Sequence, residues 1–476
     1  MPTLTLDIAL FVGFFVLNLI VGLKYRGKRQ TFREYAIGNK EFSTAILTAT
    51  IVATWMSGSA LFNSLENTYS KGLYYIVAVI IGVTAGLLIT GRVLGPRMGK
   101  FLNKVSVAEA LGSLYGKQVQ AIAGSAGVLK TIGYIAIQFQ VISKILAMLF
   151  SYEGPWVTII SATIIILYAA SGGVRAVTFT DVIQFITFGT LLPALALVIW
   201  NHLHDPPSQV AQVLHHNPLF SFKAVVGWTP EFMGTLILMG YFITPELPPE
   251  TFQRIAMARD VTQVKRSMTY AAIVCLGVML CMVWIAMLLL TDQPGLARNQ
   301  VVPYMVNHYT YPGLKGLLGI GVIALAMSTA DSCLNACAVI IANDIVPALR
   351  PKQESSVQAA RWATVGLGGG ALLIALRELN ILDLLLLSAS FYVPIVVIPM
   401  LLAIFGFQTS KRVVFMAMAA GFTTVVACLA YFKSVNSFFP GMVANFIVLL
   451  GAHYLLGEEG GWGNNPLPEK LPTADE

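Results

Sequence analysis

The sequence predicts an all-α polytopic membrane protein, and three observations carry that prediction. Hydrophobic residues make up 56% of the 476-residue chain and charged residues only 11%, where a soluble domain carries about 25% charged residues. The apolar residues come in consecutive runs, most of them near the ~20 residues a helix needs to cross a bilayer. Lys and Arg are concentrated in alternate loops between those runs. Together they give about thirteen transmembrane helices, at 6–23, 43–66, 73–95, 121–149, 153–171, 177–200, 231–247, 267–291, 314–346, 357–376, 381–406, 411–431 and 437–456. Residues 1–456 form a single transmembrane domain, and 457–476 are expected to be a disordered cytoplasmic tail.

The first run does not have the form of a cleavable signal. Asp7 stands where a basic segment should be, no Ala-x-Ala site follows, and Lys24, Arg26, Lys28 and Arg29 close the run. This arrangement starts the helix outside. With the N-terminus outside and the C-terminus inside, twenty-two Lys and Arg fall in inner loops and six in outer ones, as positive-inside insertion requires. Arg254 is counted here as an inner-loop residue. The formal charge of +7 is accounted for by lipid headgroups at those loops rather than by nucleic acid. The five cysteines all lie within apolar runs, so they read as packing residues and imply no disulfide framework.

Two spans carry breaks. The second reads Thr-Trp-Met-Ser-Gly-Ser across 54–59, and the seventh ends Thr-Pro-Glu-Leu-Pro-Pro at 244–249. Ser-Gly-Ser favours an unwound turn, and three prolines in five residues cannot continue a helix. The breaks lie five spans apart. This pattern predicts an inverted repeat, 43–200 against 231–406, with an extra N-terminal helix at 6–23 and two C-terminal helices at 411–456. Such breaks free carbonyls and helix ends near the bilayer midplane, where a cation and a solute can bind.

Four stretches then resemble the sodium/solute symporter family of proline, pantothenate, sugar and sialic acid carriers. They are Glu34–Asn39, Gly172–Gln184, Phe252–Arg259, and Ala326–Ser332 with Asn343–Ile345 beyond it. The resemblance implies a leucine-transporter-like 5+5 core and sodium as the coupling ion. It places the main sodium site on the carbonyls of Ala53, Met56 and Leu325 and the hydroxyls of Ser328 and Thr329. It places a second sodium site on Asp181, Thr329, Asp331 and Ser332. Oxygen ligands without thiolate or imidazole suit a hard monovalent ion. Asp181 and Asp331 are carboxylates within apolar helices, so one of them also offers a proton-carrying role. Trp55 falls where proline symporters carry an acidic residue, and Ile237 where they carry a substrate-contacting Trp, which weakens any transfer of proline specificity.

The solute is expected between the broken spans, with Trp55, Asn63, Glu66, Gln138, Gln140, Tyr241, Thr244 and Tyr392 as candidate contacts. An amino acid or small carboxylate is favoured, since helix N-termini suit such groups. Lys130, deep in the fourth span, is expected to pair with Asp331 or an internal carbonyl, or to snorkel. His202, His204, His215 and His216 have no zinc-like spacing and read as solvated loop residues. No nucleophile–base pair or phosphate loop appears, so an enzyme is not expected, nor is any bound cofactor. The expected partners are a small solute, sodium (or a proton) and the bilayer of a bacterial inner membrane. The alternatives are a proton-coupled symporter of the same fold or a transporter-like nutrient sensor with a separate signalling partner.

Overall fold

The computed structural model describes residues 2–24, 31–150, 154–221, 227, 229–350, 354–432 and 437–462. It is built almost wholly from helices. Among the described residues nine are long and apolar enough to cross a bilayer, or ten when the bent pair Thr44–Trp55 and Gly58–Lys71 counts as one. Pro155–Ser171 and Phe232–Ile243 are shorter apolar helices, and Val357–Ala375 is helical as well. The chain is a multi-pass membrane protein.

The helix Leu314–Ile340 forms the axis of the molecule. Its span is 94% buried, packed against Lys117–Phe150, Val174–His202, Val357–Ala375 and Pro2–Lys24. Lipid tails are as apolar as Leu, so close backbone approach through small residues holds such helices together. Gly319 shows this. A Cβ there would lie 2.3 Å from Leu149 Cδ1 and 2.7 Å from Phe11 Cζ. Asp7 contributes polar fixation, because its Oδ1 accepts from the backbone N–H of Gly313 (2.9 Å) and Gly316 (2.8 Å). The first helix thereby caps the otherwise unsatisfied N-terminus of the central one.

The second span breaks after Trp55 and resumes at Gly58, bent by 56°. Ser57 is extended and caps the new helix, its hydroxyl accepting from Ala60 N at 3.0 Å. Gly58 is required by proximity, since a Cβ would meet Val141 Cγ1 at 2.7 Å and Ala326 Cβ at 2.8 Å. The seventh span ends at Ile243, and a new helix, Pro249–Ala256, begins after an irregular stretch. Within that stretch Leu247 adopts φ 47°, a left-handed conformation that branched and bulky residues seldom hold unaided. The Tyr392 hydroxyl donates to its carbonyl at 2.8 Å, and Pro249 at the first helical position suits a helix start.

Two expectations about the periphery change. The long connection after the sixth span contains a helix, Pro206–His216, while 222–226 and 228 lie outside the described residues. The start of the tail is also ordered, because Gly461–Trp462 pairs antiparallel with Phe407–Gln408. Residues 463–476 lie outside the described residues.

Candidate functional site

The break in the second span leaves its last carbonyls without helical donors, and the central helix supplies hydroxyls to them. Ser328 Oγ donates to Ala53 O at 2.8 Å and to Leu325 O at 3.0 Å. Thr329 Oγ1 donates to Thr54 O and to Leu325 O, each at 3.2 Å. Ser328, Thr329, Ala53 and Leu325 are all fully buried. The result is a knot of neutral oxygens from two helices, with no sulfur or imidazole in it. That donor set suits a hard cation held weakly enough to be released.

A cavity of about 130 Å³ adjoins the break. Trp55, Ser57, Ser59 and Asn63 border it from the second span, Lys130 and Tyr134 from the fourth, and Tyr241, Thr244, Glu246 and Glu250 from the second break. Lys130 and Glu246 form an ion pair whose side chains are only 7% and 11% exposed. The Lys130 ammonium also lies 5.4 Å from the centre of the Tyr392 ring.

A second polar cluster lies one helical turn along from the oxygen knot. Asp181 Oδ2 accepts from Thr50 Oγ1, from Arg254 Nη2 at 3.1 Å and from Ser332 Oγ at 3.3 Å. Arg254 Nη2 also reaches Ser332 Oγ at 2.5 Å. Neither partner of this ion pair is more than 1% exposed. Thr54 Oγ1 donates to Ser332 Oγ at 3.2 Å, which ties the cluster to the broken helix.

Residues 35–421 match the sodium:solute symporter family over most of the chain. The chain belongs to that family. Its members are transporters, so the chain is not an enzyme. Among similar proteins, the sodium/pantothenate symporter of Haemophilus influenzae is 23% identical over 96% of this chain and 90% of its own length. Sodium-coupled monocarboxylate transporter 2 of Bos taurus is 22% identical over 76% of this chain, and the match spans 61% of that relative. A solved sodium-coupled sialic acid symporter in a substrate-bound outward-open state superposes with TM-score 0.82 at 17% identity, covering 94% of this chain and 98% of the other. That likeness shows a shared fold.

In this symporter-family chain the residues named for the main sodium site are distributed as follows. Ala53, Leu325, Ser328 and Thr329 meet, joined by the carbonyl of Thr54, which the sequence reading omitted. Met56 ends the helix, its N–H on Val52 O at 2.8 Å. Of the second-site residues, Asp181 and Ser332 meet, but Thr329 belongs to the first knot. Asp331 turns away and accepts from Tyr168 Oη and from its neighbour's N–H. Successive helix residues point about 100° apart, so Asp331 and Ser332 cannot both face Asp181.

The solute candidates divide in the same way. Trp55, Asn63, Tyr241 and Thr244 border the cavity. Gln138 lies behind it, donating to Ser59 Oγ at 3.2 Å, and Tyr392 holds Leu247 O. Glu66 pairs with Arg298 at 3.3 Å, and the Gln140 amide donates to Leu379 O and accepts from Leu379 N–H, each at 3.2 Å. Two charged residues are corrected. Arg254 is a buried partner of Asp181 rather than an inner-loop anchor, and Lys130 pairs with Glu246 rather than with Asp331, a carbonyl or the membrane surface. Sequence reasoning also missed Glu246 and Glu250. Their signal was two carboxylates four positions apart across a proline break in an apolar span, where ionisable groups mark function. His202 packs edge-on to His308 and Tyr309, and no His/Cys/Asp/Glu cluster fit for a metal occurs among the described residues.

Proposed function

We propose that the protein is a sodium-coupled symporter that carries a small polar organic solute, an amino acid or small carboxylate, into a bacterial cell across its inner membrane. The observation that carries this reading is the meeting of Ser328 and Thr329 hydroxyls with the Ala53, Thr54 and Leu325 carbonyls at a helix break, beside a cavity lined by polar and aromatic side chains. A cation bound to those oxygens would bridge the broken span to the central helix. Its presence would favour the conformation that holds solute, and its loss to the cytoplasm would favour release. A ligand shifts such an equilibrium only through its differential affinity for the two states, and an ion shared between two moving elements has that difference built in.

The same reading assigns thirteen spans, an N-terminus outside and a C-terminus inside, with 43–200 and 231–406 as inverted halves around the site. The positive-inside count and the two matching breaks support it. Purified protein in liposomes should accumulate labelled solute only under an inward sodium gradient. Equal accumulation with potassium in place of sodium outside would overturn sodium coupling.

A further inference from the structure

Asp181, Glu246 and Glu250 face only two basic side chains around the breaks, Arg254 and Lys130, and the charges do not cancel. Arg254 is matched by Asp181. Lys130 is matched by Glu246. Glu250 is left over. It is 5% exposed, borders the cavity, and its Oε2 has no hydrogen-bond partner among the described residues. Burying a charge is expensive unless something pairs with it. Glu250 sits in the first turn of the Pro249–Ala256 helix, where the helix dipole favours the ionised carboxylate. That partial charge complements a carboxylate but supplies no counter-ion.

The rest of the cavity says what completes the pair. Trp55, Tyr134 and Tyr241 face the same space, and aromatic ring faces attract organic cations. With Glu246 matched by Lys130, a bare carboxylate would add a second unmatched negative group beside Glu250, which electrostatic complementarity disfavours. The volume of about 130 Å³ is close to the ~150 Å³ of a cavity that admits benzene, which suits a small occupant. If it also carries a carboxylate, the N-terminus of the Gly58–Lys71 helix reaches the cavity at Ser57, Ser59 and Ala60 and suits that group.

We propose that Glu250 receives a positively charged nitrogen, and that the solute is a small organic ammonium compound, cationic or zwitterionic, rather than a simple carboxylate. This rests on the symporter reading above and narrows it.

Thermal denaturation of the purified full-length protein tests it, in sodium or potassium, with choline, glycine betaine, L-alanine or lactate as probes. Choline or one of the zwitterions should raise the melting temperature in sodium, and lactate should not. The choline arm separates a cation site from a zwitterion site. Glu250→Gln should raise the concentration of ammonium probe needed by about a hundredfold, whereas Glu250→Asp should retain binding. A sodium-only shift that persists in Glu250→Gln shows that this variant is folded, and should it not fold, the charge preference of the parent protein still decides. Stabilisation by lactate alone overturns the proposal and leaves sodium symport standing. So does failure of every ammonium probe, or undiminished binding by folded Glu250→Gln. Loss of the sodium-only shift in the parent protein overturns both readings.

Discussion

Ser328 and Ala53, 275 positions apart, are joined by a 2.8 Å hydrogen bond from hydroxyl to main-chain carbonyl. The bond exists because two local features meet. The second span stops at Trp55, which frees the Ala53 carbonyl from its usual helical donor. The central helix places a hydroxyl opposite, and that hydroxyl also reaches Leu325 O on its own preceding turn. A Ser that only back-bonded to its own helix would be a common and inert arrangement. The added cross-helix bond links the broken span to the axis of the molecule, and an ion seated among these oxygens would strengthen that link.

The first prediction follows from that geometry. Ser328→Ala or Thr329→Ala removes one oxygen from the knot, and bonds to charged groups are worth about 1.5–3 kcal/mol. The sodium concentration for half-maximal uptake should therefore rise by about 10- to 100-fold. Ser161→Ala is the control, because among the described residues that hydroxyl bonds only to carbonyls of its own helix, Val157 O and Thr158 O. An unchanged sodium dependence in Ser328→Ala would remove it from the ion path.

The second prediction concerns the Asp181–Arg254 pair, 3.1 Å apart and almost wholly buried. Removing one partner strands the other charge, a loss of about 3–5 kcal/mol in known buried pairs. Asp181→Asn and Arg254→Gln should each lower the melting temperature sharply. The double variant should be more stable than either single one, since it leaves no unmatched charge. Asp331→Asn belongs outside this coupling, because its carboxyl meets Tyr168. Should the double variant instead show the two losses simply added, the two side chains do not act as a pair.

Much of this was legible in the sequence, for identifiable reasons. Hydropathy gave the all-helical, multi-pass character, since a bilayer imposes length and polarity on every span. Ser57-Gly58 and the prolines at 245–249 gave the breaks, because both are constraints within a few neighbouring residues. Charge pairing was not legible. Arg254 reads as an inner anchor, and Lys130 as a partner of Asp331 or a carbonyl or as a snorkelling side chain, until the fold brings them to Asp181 and Glu246, which are 73 and 116 positions away. The exclusion of Asp331 from the Asp181 cluster depends on the rotation of one helix by about 100°, the angle between successive residues. Composition and spacing across different helices do not encode that angle.

The third prediction separates a structural ion pair from a functional one at the second break. Lys130→Met leaves Glu246 and Glu250 both unmatched and should destabilise the protein by several kcal/mol, about 3–5 by analogy with other buried pairs. Adding Glu246→Gln should recover most of that stability, because Glu250 alone then remains as in the parent. If Lys130 serves only to neutralise Glu246, the double variant also regains solute binding. Recovery of melting temperature without recovery of binding would instead give the Lys130 ammonium a direct contact with solute.

The fourth prediction tests whether the close approach at the first break matters for transport. A Cβ on Gly58 would lie 2.7 Å from Val141 Cγ1 and 2.8 Å from Ala326 Cβ, and real Cβ atoms essentially never come that close. Ala326 lies two positions before Ser328 on the central helix, so relief by moving the broken span away would also lengthen the contacts of Ala53 and Thr54 with Ser328 and Thr329. Gly58→Ala should therefore weaken sodium activation as well as stability, although it adds a single methyl group and changes no ligand. Gly240→Ala supplies the comparison. It lies in the Pro230–Ile243 helix, where a Cβ would meet no atom within 4 Å, and Ala is favoured over Gly in a helix interior by about 0.5–1 kcal/mol. It should be neutral or mildly stabilising, with sodium dependence unchanged. Sodium activation of Gly58→Ala equal to that of Gly240→Ala would show that the spacing between the broken span and the central helix does not set the affinity of the ion site.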